Sequence, residues 1–381
     1  MKKETAPVLG TLLFLGIFIA FFTVFAIPMG ISNMLNTLMN TAYALLMDTA
    51  FYIMAIAVLA GAISALFAEF GVIDLLNKVL SPLMKPLYGM PGAAALGIVT
   101  TYLSDNPAIL TLAKDKEYRK FFKQYQVPAL TNLGTAFGMG LVITTYMLGI
   151  GGSIENVGMA VLCGNLGAIA GSVVSTRLML HHTRKAYGTE AEAFTDETDV
   201  VVKEEKAKNT GWLRVMNPLM EGGAEGVKIG LSVIPGILII CTIIMMLTNG
   251  TGPDGLYTGA AYEGIGLLPA IAGKISFILQ PLFGFSSTEC IAVPVTALGS
   301  AGAAMGVVSR LISENIAGLN EIAVFTAMCM CWSGYLSTHV SMMDVLKANE
   351  HTGNAILCHT LGGIFSGIVA HWLFLLFTTI L

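Results

Sequence analysis

Apolar residues run through this chain in long unbroken stretches, without the three- or two-residue rhythm of a half-buried helix or strand. Seven stretches, 8–27, 43–68, 127–149, 156–177, 226–248, 322–345 and 354–381, continue for about 20 residues or more with few charges. That is the length a helix needs to cross a hydrocarbon core of roughly 30 Å. Two others, 77–113 and 270–312, are apolar but cut by Pro, Gly and polar residues into pieces too short to span. A charge-rich segment at 178–217, with His181, His182, Arg184, Lys185 and the run from Thr195 to Lys208, reads as a solvated loop between two halves. The pattern predicts an all-α polytopic membrane protein with seven full spans.

Composition removes the soluble alternatives. The chain is 55% hydrophobic and 12% charged, where a soluble surface requires about 25% charged residues. Its mean hydropathy is +0.75. The six cysteines, at 163, 241, 290, 329, 331 and 358, all fall in apolar stretches and read as small core residues rather than a disulfide framework. The apolar run after Met1-Lys2-Lys3 exceeds the 7–15 residues, roughly, of a signal h-region, and no small-x-small cleavage site follows it. It is expected to be a retained first span.

The two interrupted stretches resemble each other. Pro-Leu-Tyr-Gly-Met at 86–90 answers Pro-Leu-Phe-Gly-Phe at 281–285, and in that register Leu103 aligns with Leu298 and Thr131 with Thr326. The order of elements, span, amphipathic stretch, two half-length helices around a polar tip, then two full spans, occurs at 43–177 and again at 226–381. Lys114, Lys116, Arg119, Lys120 and Lys123 follow the first tip, while Arg310, Glu314 and Glu321 follow the second. Short basic loops stay cytoplasmic, so the first hairpin is expected to open to the cytoplasm and the second to the outside. Tracing the spans from a cytoplasmic Lys2-Lys3 gives the same sides. The expected organisation is an N-terminal span with an external loop over 1–42, a first repeat over 43–177, a cytoplasmic loop over 178–217 and an inverted repeat over 218–381. Inverted repeats with Gly/Pro-broken segments in matching places point to a secondary transporter in an inner (plasma) membrane.

Candidate chemistry concentrates at the tips. The first reads Tyr102-Leu103-Ser104-Asp105-Asn106-Pro107-Ala108. A carboxylate at the bilayer centre costs at least a few kcal/mol, so Asp105 is expected to face a cavity or a partner; the plain alternative is an N-cap for the following half-helix. The second tip, around Ser300, carries glycines that let the backbone approach a ligand. Glu289 lies before it, as a site carboxylate or a residue of the hairpin mouth. The substrate-binding candidates are therefore Ser104, Asp105, Asn106, Asn132, Glu289, Ser300, Thr326 and Ser333, with a sodium position near Asp105 and Thr131. For Thr326 and its polar neighbours, ordinary interhelical packing competes with a site role. His359 and His371 read as satisfied buried histidines. Cys329 and Cys331, two apart, diverge by about 200° on a helix and do not share one metal easily.

Three segments carry a resemblance to a known family. Residues 222–249, Leu282 to Cys290, and Leu103-Ser-Asp-Asn-Pro-Ala108 resemble the concentrative nucleoside transporters and the wider nucleoside-recognition (gate) proteins. That wider set includes spore maturation proteins and the membrane domain of bacterial ferrous-iron transporters. The resemblance spans 43–381 and implies a gate-type transporter fold. The family's Asn-Glu-Phe motif at the second tip is replaced by small residues near Ser300–Gly306, and its first-tip glutamate is missing, with Pro107 near its place. The resemblance thus carries the fold further than it carries the nucleoside. The reading is a secondary transporter of a small polar solute, with no resident cofactor, coupled to Na+ or H+. A non-transporting assembly partner and a divalent-metal permease using Asp105, Glu289 and thiols are the alternatives. No enzyme constellation and no nucleic-acid partner is expected; a homo-oligomer is left open.

Overall fold

A computed structural model describes residues 5–152, 154–193, 211–252 and 254–380. Among these the chain is helical, with one isolated β-bridge between Lys123 and Glu192. Six helices are long and apolar enough to cross a membrane, or seven if the bent pair Ser276–Phe283 and Thr288–Gly299, at 79°, counts as one. In the first half, α1 (Thr5–Met29) leads to α2 (Ile31–Glu69), the short amphipathic α3 (Val72–Leu83), and the half-length pair α4 (Ala94–Leu103) and α5 (Pro107–Lys114). A broken helix, α6 (Ala129–Thr135) and α7 (Gly140–Ile150), and the long α8 (Val157–Tyr187) complete it. In the second half, α9 (Leu213–Thr248) is followed by short α10 (Leu267–Lys274) and α11 (Ser276–Phe283). The half-length pair α12 (Ala292–Gly299) and α13 (Ala301–Ser313), a broken helix, α14 (Leu319–Cys331) and α15 (Tyr335–Val345), and α16 (Thr352–Ile380) close the chain.

Small residues set the two main seams. A Cβ on Gly226 would lie 2.2 Å from the Ala57 carbonyl oxygen, and one on Gly171 would lie 2.4 Å from that of Gly362. Backbones this close are how membrane helices gain contact when no hydrophobic force separates helix from lipid. The α2–α9 pair forms one seam and the α8–α16 pair the other. π-type turns interrupt α2 at Leu45–Ala50 and α9 at Ile237–Cys241, and both pack against α13. Tyr146 on α7 donates to the Met305 carbonyl of α13 at 2.7 Å, so the two halves are also hydrogen-bonded.

The structure departs from the sequence expectation in three places. Residues 31–42, expected as an external loop, continue α2 as helix, so that α2 is 39 residues long. At about 1.5 Å per residue it measures about 58 Å, more than a bilayer requires. Residues 178–187, expected as loop, extend α8, because helix propensity needs no apolar face. At the other end of that expected loop, residues 213–217 already belong to α9, and 194–210 lies outside the described residues. The predicted span 127–149 lies within a span-length stretch, Gln124–Ile150, that turns non-helical at 136–139, while 322–345 is divided between Cys331 and Tyr335 into two helices too short to cross.

The overhang of α2 is held by residues 257–263, after α9. Asn33 and Asn40 donate to the carbonyls of Tyr257 and Gly259, and the Tyr262 amide donates to Thr41 Oγ1. Glu263 organises the loop, accepting the Thr258 amide at 3.0 Å, the Thr258 hydroxyl at 2.7 Å and the Gly259 amide at 3.0 Å. Burial pushes its carboxyl up, but the Thr258 hydroxyl and the amides of Thr258, Gly259 and Ala260 outweigh this and hold it below the ordinary value of 4.5. A depressed carboxylate stabilises above its unfolded pKa, and that contribution disappears as pH falls through the folded value. Amide protection at Thr258 and Gly259 is therefore expected to be full at pH 7 and to fall as pH drops below about 4.5. Glu263→Gln should lose the pH dependence, as read by hydrogen exchange. Equal protection factors at both pH values in the parent chain would contradict this role.

Candidate functional site

Four helix starts meet at one place. The N-cap residues of α5, α7, α13 and α15 are Asn106, Met139, Ser300 and Gly334. All four line a single cavity of about 320 Å³, at the lower end of the range for small-molecule sites. Local sequence explains each start. Pro107 stands at the first helical position of α5, where its missing N–H costs no hydrogen bond. Ser300 is extended between α12 and α13, and its hydroxyl accepts the Ala303 amide at 3.3 Å. Met139 and Gly334 adopt left-handed φ of 55° and 60°, which stops one helix and starts the next. Each start brings the positive end of a helix dipole to the cavity wall.

Asp105 supplies the cavity's carboxylate. Its Oδ1 accepts the Asn106 amide at 2.7 Å, and α5 has no side-chain cap at its N-terminus. The capping alternative for Asp105 thus has no hydrogen bond behind it. No Lys, Arg or His forms an ion pair with Asp105 among the described residues. Asn106 is the structural pin of the tip. Its Nδ2 donates to the Ser333 carbonyl at 2.5 Å and reaches Thr338 Oγ1 at 3.4 Å, so the first tip is fastened to the break of the opposite broken helix. The second tip rests on α9, where a Cβ on Gly236 would lie 2.5 Å from Ser300 Oγ.

Of the sequence candidates, Asp105, Asn106, Ser300 and Ser333 come together here. The others are elsewhere. Ser104 donates back to the Thr100 carbonyl at 2.7 Å. Asn132 is buried in the α6–α8–α16 packing, donating to Ser175 Oγ at 2.9 Å and the Ala355 carbonyl at 3.0 Å. Thr131 is buried beside it, with no partner for its hydroxyl among the described residues. Thr326 donates to the Ile322 carbonyl at 2.6 Å, and a Cβ on Gly164 would lie 2.5 Å from Thr326 Cβ. Glu289 stands beside Arg310, at 3.8 Å, next to Glu314 near the end of α13.

Met139, Ser232 and Gly236 also line the cavity and were not candidates. The only sequence trace of Met139 is its setting between Gly138 and Gly140.

Two of the buried histidines, His359 and His371, are hydrogen-bonded through their rings. His359 Nε2 meets the Cys331 carbonyl at 2.5 Å. A carbonyl only accepts, so Nε2 carries the proton and Nδ1 accepts from Ser175, 3.0 Å away. His371 Nδ1 lies 2.7 Å from Asn320 Oδ1. No three His, Cys, Asp or Glu side chains converge in a metal-holding arrangement among the described residues.

No family model and no curated protein matches this chain. Solved structures do. The concentrative nucleoside transporter CNTnw in an inward-facing substrate-bound state superposes with a TM-score of 0.54 at 15% identity, over 86% of this chain and 75% of that one. A variant of CNTnw in an outward-facing state gives 0.52 at 13% identity, over 86% and 76%. The fold is similar to that of a concentrative nucleoside transporter. At this identity the likeness speaks to architecture alone. The CNTnw-like fold accords with the resemblance read at Leu103–Ala108, 222–249 and Leu282–Cys290.

Proposed function

We propose that this chain is a secondary transporter of a small polar solute, with the site in the cavity between the two hairpin tips. The observation that carries this reading is the meeting of four interrupted helices at one cavity beside an unpaired Asp105. Non-helical backbone at membrane depth persists only where protein or a water-filled cavity satisfies it. Discontinuous helices whose ends point at a central site are the common device of secondary transporters. The likeness to CNTnw, which has been captured in inward- and outward-facing states, supports a fold able to present such a site to either side.

In this reading α4–α5 and α12–α13 are re-entrant hairpins that enter from opposite faces and belong to inverted repeats. The basic run from Lys114 to Lys123 places the first hairpin mouth, and with it the N-terminus, in the cytoplasm. The membrane is the inner (plasma) membrane. The helix N-termini favour an acceptor or anionic group on the solute, while Asp105 takes a cation, either the coupling Na+ or H+ or a donor of the solute itself. Ser300, Ser333 and Thr338 supply neutral polar contacts.

A thermal-shift screen of the purified protein, run with and without Na+ at two pH values, tests this. The panel is nucleosides, bases, amino acids, peptides and divalent metals. Stabilisation by one organic class, changed by Na+ or by pH, is expected. Stabilisation by divalent metals alone would support the metal-permease alternative instead.

A further inference from the structure

A second cavity, of about 440 Å³, shares no lining residue with the first. Its walls include Leu76 and Leu80 of α3 with Leu87 of the following turn, Ile98 of α4, Leu141 of α7 and Ile169 of α8. The lining is almost wholly apolar. Tyr102 and Asn165 in the lining are satisfied in a cluster with Thr144: Tyr102 Oη lies 3.0 Å from both Thr144 Oγ1 and Asn165 Oδ1, and Asn165 Nδ2 donates to Thr144 at 3.1 Å. Such a space offers nothing to water or to a polar solute. α3 beside it exposes Leu75 and Val79, each 61% accessible, as a helix in contact with lipid does.

One end of the cavity is basic. Lys85 is exposed in the turn between Leu83 and Leu87 and has no ion-pair partner among the described residues. Arg177, also exposed, donates through Nε to the Leu87 carbonyl at 2.6 Å and through a second nitrogen to that of Pro86, so its charge meets only neutral oxygens. Arg184 approaches the same turn, 3.7 Å from where a Cβ on Gly89 would stand. From Asn165 to Arg177 is twelve residues of α8, or about 18 Å, against the roughly 15 Å that one leaflet of a 30 Å core provides.

We propose that this cavity holds an acyl chain of one anionic phospholipid, whose phosphate is bound by Lys85, Arg177 and Arg184. The match is of shape, length and charge. The apolar trough takes a single chain at leaflet depth, and cations with no acidic partner among the described residues lie where that chain's headgroup emerges. Any groove facing a bilayer is filled by some chain; the specific content here is the preference for an anionic headgroup. The inference rests on α8 crossing the membrane and on nothing about the solute, so it stands or falls separately from transport.

The test is native mass spectrometry of the full chain, released from bilayers of equal phosphatidylglycerol and phosphatidylcholine and then delipidated stepwise. One phosphatidylglycerol per chain is expected to be retained after other lipid is stripped. Leu80→Trp, which fills the trough, should lose it. Lys85→Gln, a change at an exposed side chain, should keep a lipid but lose the preference for phosphatidylglycerol. Lys228→Gln, a basic residue paired with Glu225 on α9, should behave as the parent. No retained lipid in the parent, equal retention of both lipids, or unchanged retention in both Leu80→Trp and Lys85→Gln would overturn the proposal.

Discussion

Asp105→Asn is expected to lower solute affinity tenfold or more while leaving the folded protein intact. The carboxylate contributes a charge-assisted contact inside the membrane, and losing one such contact costs about 1.5–3 kcal/mol, a tenfold to hundredfold change in Kd. The fold should survive because the only described hydrogen bond to the Asp105 side chain is the Asn106 amide at 2.7 Å, which an amide oxygen of the same shape accepts equally well. The dependence of binding on Na+ or on pH should fall with the affinity, since the charge that draws a cation to mid-membrane is gone. Titration of the stabilising solute against parent and variant, with melting temperatures for both, reads these effects apart. A variant that binds as the parent does, with the same ion response, would remove Asp105 from the site.

Gly138→Ala should be the most damaging single methyl in the chain's site region. Its Cβ would lie 2.1 Å from Asn106 Oδ1 and 2.7 Å from Asn106 Cγ, so the Asn106 amide must leave the Ser333 carbonyl it now meets at 2.5 Å. A buried amide left without partners costs about 1–3 kcal/mol, and the first tip loses its fastening to the opposite broken helix. Asn106→Ala alone should lose the same hydrogen bond without the clash. In the double variant the obstructing side chain is absent, so adding Gly138→Ala to Asn106→Ala should cost much less than adding it to the parent. That non-additivity, measured as melting temperatures over the four-member cycle, is the expected signature of contact. Additive losses would mean that Gly138 and Asn106 do not meet.

Much of the architecture was legible in the chain because a bilayer demands continuous apolar stretches, and because charges are too expensive to place inside one casually. Asp105 stood out for that reason, and Asn106 and Ser300 stood out because they sit at the points where half-length helices stop. The breaks within 127–149 and 322–345 were not legible. Glycine is common in membrane helices, so Gly138 and Gly140 around Met139, or Gly334 after Ser333, carry no mark that distinguishes a stopped helix from a closely packed one. Met139 in particular takes a left-handed φ of 55° that its residue type does not favour. Only the surrounding packing imposes it.

Polarity misled in the opposite direction at Asn132 and Thr326. Both lie at a depth matching the tips in sequence, yet helical phase turns them into seams: Asn132 donates across to Ser175, and Thr326 packs against Gly164 with its hydroxyl bonded back to the Ile322 carbonyl of its own helix. Sequence position gives depth along a span; it does not say which neighbour a face will meet. The helical continuation through 178–187 was hidden by the same reliance on hydropathy, since a helix leaving the bilayer stays helical when its residues turn polar.

The most direct test of the account is the sidedness of the two hairpin mouths. All six native cysteines are buried, so a cysteine placed at exposed Lys120 or exposed Ser313 reports with little background. With a membrane-impermeant maleimide on intact cells, Ser313→Cys is predicted to label at once and Lys120→Cys only after the membrane is opened. Labelling of both from the same side would contradict the inverted repeat, and with it the central claim that the two tips meet from opposite faces at a transport site.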